Sequence, residues 1–343
     1  MTMESLQKRW NEWLGAFKKK KDAGGDEEAK IKAAHVVYVF GPMGTGKSFT
    51  GDYMDVVHGY HHVDGDIPLK HMTLVPGYKE MVEKMLIDGD WAPVHSEIAR
   101  LTVEAAKDHE KVVVSHNTPS NEARDHVVKK LVEGGVSEDH ITLIQLTIDP
   151  RVKARGMYYR GKRQTEQAGF NFTDACKGFG WEFEGEMTEE KFIDIYVEVN
   201  AEGDSMYEIH PDAIMVDVSG RDVSHFDNVD KALGLTRSSD LTYEGVCAKV
   251  KPIDEARDKI PVESGFPEAF AEILTRQEAK AGDNSLVIDE EGEDEKKVEE
   301  MKKRRSSLVQ LDRSIRGLSF RESSDKVEVI RKSLIKTGKV DEE

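Results

Sequence analysis

The chain has 343 residues and a formal net charge of −17, so it lacks the basic face that broad nucleic-acid binding requires. Its two cysteines argue against a disulfide-built secreted fold. With no apolar stretch of membrane-spanning length and no apolar signal core at the N-terminus, we expect a cytoplasmic protein without a transmembrane segment.

Residues 1–34 precede the first predicted strand. They contain apolar side chains that share one face of a predicted amphipathic helix, followed by four consecutive lysines at 18–21. Two interpretations remain open. The helix docks on its own domain, which we favour, or residues 5–21 contact an anionic membrane surface. The apolar side chains are Leu6, Trp10, Trp13, Leu14 and Phe17.

Residues 41–48 have the phosphate-loop (Walker A) pattern, a glycine, four residues of any type, and then Gly-Lys-Ser. They follow a β-branched and aromatic run at 36–40, which predicts a buried strand, and precede a predicted helix. Glycines let the backbone approach a phosphate closely, Lys47 adds a cation, and the Ser48 hydroxyl can ligate Mg²⁺. We predict an ATP and Mg²⁺ site formed by Gly41, Met43, Gly44, Thr45, Gly46, Lys47 and Ser48.

Two carboxylates follow the next predicted strand, at Asp64 and Asp66. They would lie at the carboxyl edge of the sheet, where open α/β sheets bind ligands. No Asp ends the later strand at 111–115, so Asp64 is our candidate to complete the Mg²⁺ site with Ser48. The alternative for residues 64–66 is an ordinary turn. Neighbouring histidines (58, 61, 62 and 71) lack a regular ligand spacing, and we assign them no metal.

A basic run at residues 151–163 follows the predicted strand at 141–148. A helical lid here would place Arg155, Arg160 or Arg163 on the phosphates. The alternative is a solvated basic helix. Residues 169–187, rich in glycine and aromatics, resemble a lid or a substrate loop.

Strands and helices alternate from residue 35 to residue 235, which predicts a doubly wound parallel sheet in a three-layer α/β/α domain. Residues 236–343 are highly charged, so we expect a tail that is mostly disordered or marginally helical. Ser306, Ser307 and Ser319 follow arginines closely and are candidate phosphorylation sites for a regulatory protein kinase.

These residues together resemble the small-molecule kinase branch of the phosphate-loop fold, most closely gluconate kinase and more distantly shikimate kinase. The resemblance is carried by the phosphate loop, by Asp64-Gly65-Asp66, by residues 115–125 and by two lid arginines. It implies ATP and Mg²⁺ at the loop and an acceptor hydroxyl near Asp64 and Asp66. It further implies that Arg124 contacts this acceptor and that Arg155 and Arg160 contact the phosphates.

The chain departs from the gluconate kinase pattern at 115–119, which lacks a lysine, and in the insert at 165–190. Our leading hypothesis is an ATP-dependent phosphotransferase acting on a hydroxyl of a small polar metabolite, with Asp64 or Asp66 orienting or deprotonating the acceptor. Two alternatives stay open. One is a nucleoside or nucleotide monophosphate kinase, and the other is an ATP-binding regulatory or scaffold protein with little turnover.

Overall fold

The computed structural model describes residues 24–65, 84, 90–167, 169, 171–178, 181–220 and 222–258. The predicted N-terminal amphipathic helix, Asp66, His71, the three candidate phosphorylation sites and the chain beyond 258 lie outside the described residues. The chain divides into two compact units. The first contains residues 1–70, 94–153 and 204–261, and the second contains residues 71–93, 154–203 and 262–343.

The first unit is built on a five-stranded sheet in the order β2-β3-β1-β4-β5. Every pair of neighbouring strands is parallel, which confirms the predicted α/β class. In β1 and β3 every residue after the first is buried, as expected for central strands that are covered on both faces. The strands are β1 (His35–Phe40), β2 (His61–Asp64), β3 (Lys111–His116), β4 (Ile141–Thr147) and β5 (Ile214–Asp217).

Helices cover both faces of this sheet. The apolar cluster on one face joins Val37 and Val39 of β1 to buried side chains from three helices, α2, α8 and α9. On the opposite face, the guanidinium of Arg124 from α4 lies over the Phe40 ring. The helices are α1 (Gly24–Ala33), α2 (Lys47–His58), α3 (Ala92–Ala106), α4 (Asn121–Glu133), α8 (Val223–Leu233) and α9 (Tyr243–Asp258), with a 3₁₀ turn at Glu138–His140.

The packed part of the chain extends beyond the domain boundary predicted at residue 235. Val246 and Val250 of α9 are buried in the cluster around α2. At the other end, α1 begins at Gly24 and its Ile31 is buried. The buried apolar side chains of α9 therefore hold this helix against the sheet domain, although it lies in the charged segment 236–343.

The second unit has its own aromatic core. Tyr158, Phe172, Phe192 and Tyr196 pack together with ring-centroid distances of 5.4–5.7 Å between neighbours. The basic run is helical, as predicted. The elements are α5 (Pro150–Gln167), which begins in the first unit, α6 (Phe172–Gly178), and α7 (Glu189–Ser205), which ends in the first unit. None of the helices in the described ranges is long and apolar enough to cross a membrane.

Candidate active site

The phosphate loop connects β1 to α2 and depends on its glycines. Gly44 and Gly46 have φ angles of 84° and 89°, in the left-handed region that side chains other than glycine seldom adopt. A Cβ atom on Gly41 would lie 2.8 Å from the Leu146 carbonyl oxygen, so this position also requires close backbone approach. The Thr45 hydroxyl donates to the Pro42 carbonyl at 2.8 Å and braces the turn.

Lys47 begins α2 and folds over the loop. Its Nζ atom donates to the carbonyls of Gly41 and Pro42 at 2.8 and 2.9 Å. The first-turn N–H groups of α2 and the positive end of its dipole face the same region, and Ser48 lies in that turn. A loop of this shape, followed by a helix N-terminus and a lysine, fits the phosphate groups of a nucleotide.

Asp64 is the last residue of β2 and is 5% exposed. It is the register partner of Ser115 in β3, which in turn pairs with Val39 in β1. Register partners in a parallel sheet point to the same side, and Val39 packs against the layer that contains α2. The structure therefore brings Asp64 to the carboxyl edge on the side of the helix that carries Lys47 and Ser48.

The described residues contain no group of three or more His, Cys, Asp or Glu side chains able to hold a metal ion. Mg²⁺ does not require one, because it keeps several waters and binds through one or two carboxylates plus substrate phosphates. Ser48 and Asp64 fit that donor set.

The histidines near β2 have separate partners. His58 lies against Asp230 and Tyr53 at 2.8 and 3.0 Å. The His61 ring stacks on His109 with a centroid distance of 4.1 Å. His62 is hydrogen-bonded to Asp52 and Ser115. These three side chains share no common site.

Arg124 is fully buried and its donors are engaged. Three of its N–H groups hold the loop after β3 and the segment after α7, and a fourth donates to Asn121 of its own helix, so this side chain orders the carboxyl edge. The predicted contact of Arg124 with an acceptor stays a prediction. The acceptors are the carbonyl oxygens of Thr118 (2.9 Å), Pro119 (3.0 Å) and Glu208 (2.8 Å), and the Oδ1 atom of Asn121 (2.6 Å).

The Arg124 guanidinium lies 4.5 Å from the Phe40 ring centre and 4.7 Å from the Tyr207 ring centre. Burial raises the pKa of Tyr207 to about 12, so its hydroxyl keeps its proton at neutral pH. This hydroxyl is close to the backbone N–H groups of Gly41 and Thr118. The stacked rings thus place Tyr207 beside the start of the phosphate loop.

Among the buried polar atoms at this edge, Tyr207 Oη and Asn117 Oδ1 have no partner in good hydrogen-bond geometry within the described part of the chain. Buried polar groups are normally paired, so atoms of this kind mark places where a ligand or water can bind. Sequence reasoning missed both residues. The available signal for Asn117 was a polar residue directly after a buried strand, whereas Tyr207 lies far along the chain and gave none.

The lid candidates belong to the second unit. Arg155 donates from Nε to Glu189 at 2.7 Å, and the Tyr159 hydroxyl donates to the same carboxylate at 2.6 Å. Arg160 and Arg163 are exposed. The predicted contacts of these arginines with phosphate stay predictions.

No protein-family model matches the chain, and no curated protein matches it. Among solved structures, a gluconokinase from Sinorhizobium meliloti 1021 is similar with 19% identity and a TM-score of 0.34, covering 65% of this chain and 97% of that chain. A sugar kinase from Janibacter sp. HTCC2649 in an unliganded structure has 12% identity and a TM-score of 0.33, with 59% and 96% covered. Identities and TM-scores this low do not show a shared function, so the function of this protein is inferred from its own sequence and geometry.

Proposed function

We propose that the protein is a cytoplasmic, ATP-dependent phosphotransferase that acts on a hydroxyl of a small polar metabolite. The observation that supports this most is the phosphate loop, in which glycines with positive φ angles precede α2. Asp64 is buried on the same side of the sheet as that helix. A loop of this kind alone indicates nucleotide binding. The added carboxylate at the neighbouring strand end is what favours a transfer reaction.

Bound Mg-ATP would supply the phosphoryl group and much of the neutralisation of its charge. The backbone N–H groups of the phosphate loop and the first turn of α2 would bind the phosphates, and the Lys47 ammonium, which donates to the Gly41 and Pro42 carbonyls in this structure, would turn to them. Ser48 and Asp64 hold the cation. Such a site accelerates transfer chiefly by positioning and electrostatics.

The acceptor hydroxyl is oriented or deprotonated by Asp64 or Asp66, each at the carboxyl end of β2 in the sequence. Asn117 Oδ1 is a further candidate for this hydroxyl, since it is an unpaired acceptor at the same edge. Arg124 keeps the loop that carries Asn117 in place. Arg155 and Arg160 are proposed to neutralise charge on the transferred group.

The test is ADP release from Mg-ATP with a panel of acceptors: sugar acids, sugars, shikimate, nucleosides and nucleoside monophosphates. Lys47→Ala is the inactive variant, and Lys129→Ala, whose side chain is 72% exposed on α4, is the matched control. We expect turnover with one acceptor class, lost in Lys47→Ala and kept in Lys129→Ala.

Turnover confined to nucleosides or nucleoside monophosphates would move the assignment to a nucleotide-type kinase. Tight ATP binding without turnover on any acceptor would contradict the phosphotransferase and favour a regulatory or scaffold role.

A further inference from the structure

A buried chain of hydrogen bonds links α2 to the ends of β2 and β3. His62 Nδ1 lies 2.8 Å from Asp52 Oδ1, and His62 Nε2 lies 2.8 Å from Ser115 Oγ. Asp52 and Ser115 are 1% and 2% exposed, and the His62 side chain is 3% exposed. Three polar side chains are thus paired with one another in the interior, directly beside Asp64.

The packing leaves little freedom for the imidazole. A Cβ atom on Gly51 would lie 2.3 Å from His62 Nε2, so only a glycine at this position of α2 lets the ring approach the helix. His62 pairs in register with Val113, two residues before Ser115 on the same side of the sheet. The ring is therefore held between the helix that follows the phosphate loop and the strand that ends at Ser115.

The direction of the hydrogen bonds follows from the chemistry of the groups. The Asp52 oxygen accepts from Nδ1 of His62, and with the ring in its Nδ1–H tautomer Nε2 is an acceptor. The Ser115 hydroxyl then donates its single proton to Nε2. Its two oxygen lone pairs are left to accept hydrogen bonds from other donors.

An Asp-His-Ser chain is also the arrangement that activates a serine nucleophile. That role does not fit here, because the imidazole that would take the proton is packed against the backbone of α2. The chain instead joins a helix to two strand ends, which is a positioning arrangement.

We propose that Asp52 and His62 are positioning residues that turn Ser115 into an oriented hydrogen-bond acceptor at the cation side of the nucleotide. Ser115 stands near the end of β3, the strand that in this chain lacks the usual carboxylate of phosphate-loop enzymes, and it is the register partner of Asp64. Asp64 supplies the negative charge, and Ser115 Oγ accepts from water beside it. This inference rests on the proposed function, because it concerns the same site.

The test measures how much Mg²⁺ tightens nucleotide binding, using a fluorescent ATP analogue in the presence of Mg²⁺ or of EDTA. We expect Ser115→Ala to lose about tenfold of the Mg²⁺-dependent gain in affinity while affinity in EDTA stays within about twofold of the wild type. Ser115→Thr keeps a hydroxyl and should retain the gain. Thr102→Val is the control for loss of a buried hydroxyl, since Thr102 bonds only to the Ile98 carbonyl of its own helix in the described hydrogen bonds.

A pair of His62 variants separates the two ends of the chain. His62→Asn keeps a donor near Asp52 but removes the acceptor for Ser115, so it should behave like Ser115→Ala. His62→Gln keeps an amide oxygen near the position of Nε2, so it should retain more of the Mg²⁺ effect. A purely structural role for the histidine would not give this order.

Unchanged Mg²⁺ dependence in Ser115→Ala, an equal loss of affinity in EDTA, or the reverse order of the His62 variants would each overturn the inference while leaving the proposed function standing. Failure of the wild-type protein to bind the nucleotide in either condition would overturn both.

Discussion

Asp64 of β2 and Ser115 of β3 are register partners at the carboxyl edge of the sheet. The backbone N–H of Gly65 donates to the Ser115 carbonyl at 2.8 Å, so the pairing continues past the last residue of β2. A carboxylate is thereby fixed beside a strand end that has none of its own. This relationship makes Asp64 the first position to test.

Asp64→Asn should lower the rate of phosphoryl transfer about a hundredfold or more, because an amide cannot supply the negative charge for Mg²⁺ or accept the acceptor's proton. Nucleotide affinity in EDTA should change less than about twofold, since the phosphate loop is untouched. Steady-state kinetics and equilibrium binding check the two parts. Asp139→Asn, an exposed carboxylate on the 3₁₀ turn, is the control; a full rate in Asp64→Asn would remove Asp64 from the mechanism.

Arg124→Lys should destabilise the first unit by about 3 kcal/mol, because lysine cannot reach four separated acceptors and leaves several of them buried without a partner. The free energy of unfolding, measured in denaturant, checks this. Arg100→Lys, whose partner Glu97 lies one turn away on the same helix, should cost less than about 0.5 kcal/mol. Equal effects of the two substitutions would contradict the role given to Arg124.

Tyr207→Phe removes a buried hydroxyl that has no hydrogen bond within the described residues, so stability should be kept or slightly raised. If that hydroxyl contacts a ligand, the KM for ATP or for the acceptor should rise several-fold in the same variant. A fall in stability with unchanged KM would instead indicate a structural partner for the hydroxyl.

His95 should make the protein less stable in mild acid. Burial, together with the neighbouring His116 and His126, lowers the pKa of His95 from 6.5 to about 3. Between these values the unfolded chain binds a proton that the folded chain does not, so this contribution to stability is complete above pH 6.5 and decreases as the pH falls. At pH 5 the loss is about 2 kcal/mol.

The measurement is the difference in unfolding free energy between pH 7 and pH 5 for the wild type and for His95→Leu. The variant should show the smaller difference, because it cannot take up the proton. A pH dependence identical in the two proteins would mean that other groups account for it.

The lid hypothesis is tested through the partner of Arg155. If Arg155 acts on the phosphates, it must leave Glu189, so Glu189→Gln should keep kcat or raise it, whereas Arg155→Ala should lower kcat at least about tenfold. Arg160→Ala should also lower kcat, and Lys129→Ala should not. A basic helix that is only solvated would give no change in kcat for any of these variants.

The sequence by itself determined the features that depend on neighbours along the chain. The phosphate loop was recognisable because its glycines, Lys47 and Ser48 act within one turn, and the strands were recognisable as short β-branched runs. The strand beginnings and ends were predicted to within a few residues, and the basic run at 151–163 was correctly expected to be helical. These features depend on residues that are close together in the chain, so the sequence alone is enough to predict them.

Only the tertiary structure decided which distant side chains meet. His62 contacts residues 10 and 53 positions away, and Arg124 contacts Glu208 at a separation of 84. Such contacts depend on the order β2-β3-β1-β4-β5 and on which helix covers which face. That order results from burying apolar surface across the whole unit, so no local pattern encodes it. It gave His58 and His62 separate hydrogen-bond partners, and it placed Arg124 in the interior against the segment at Glu208.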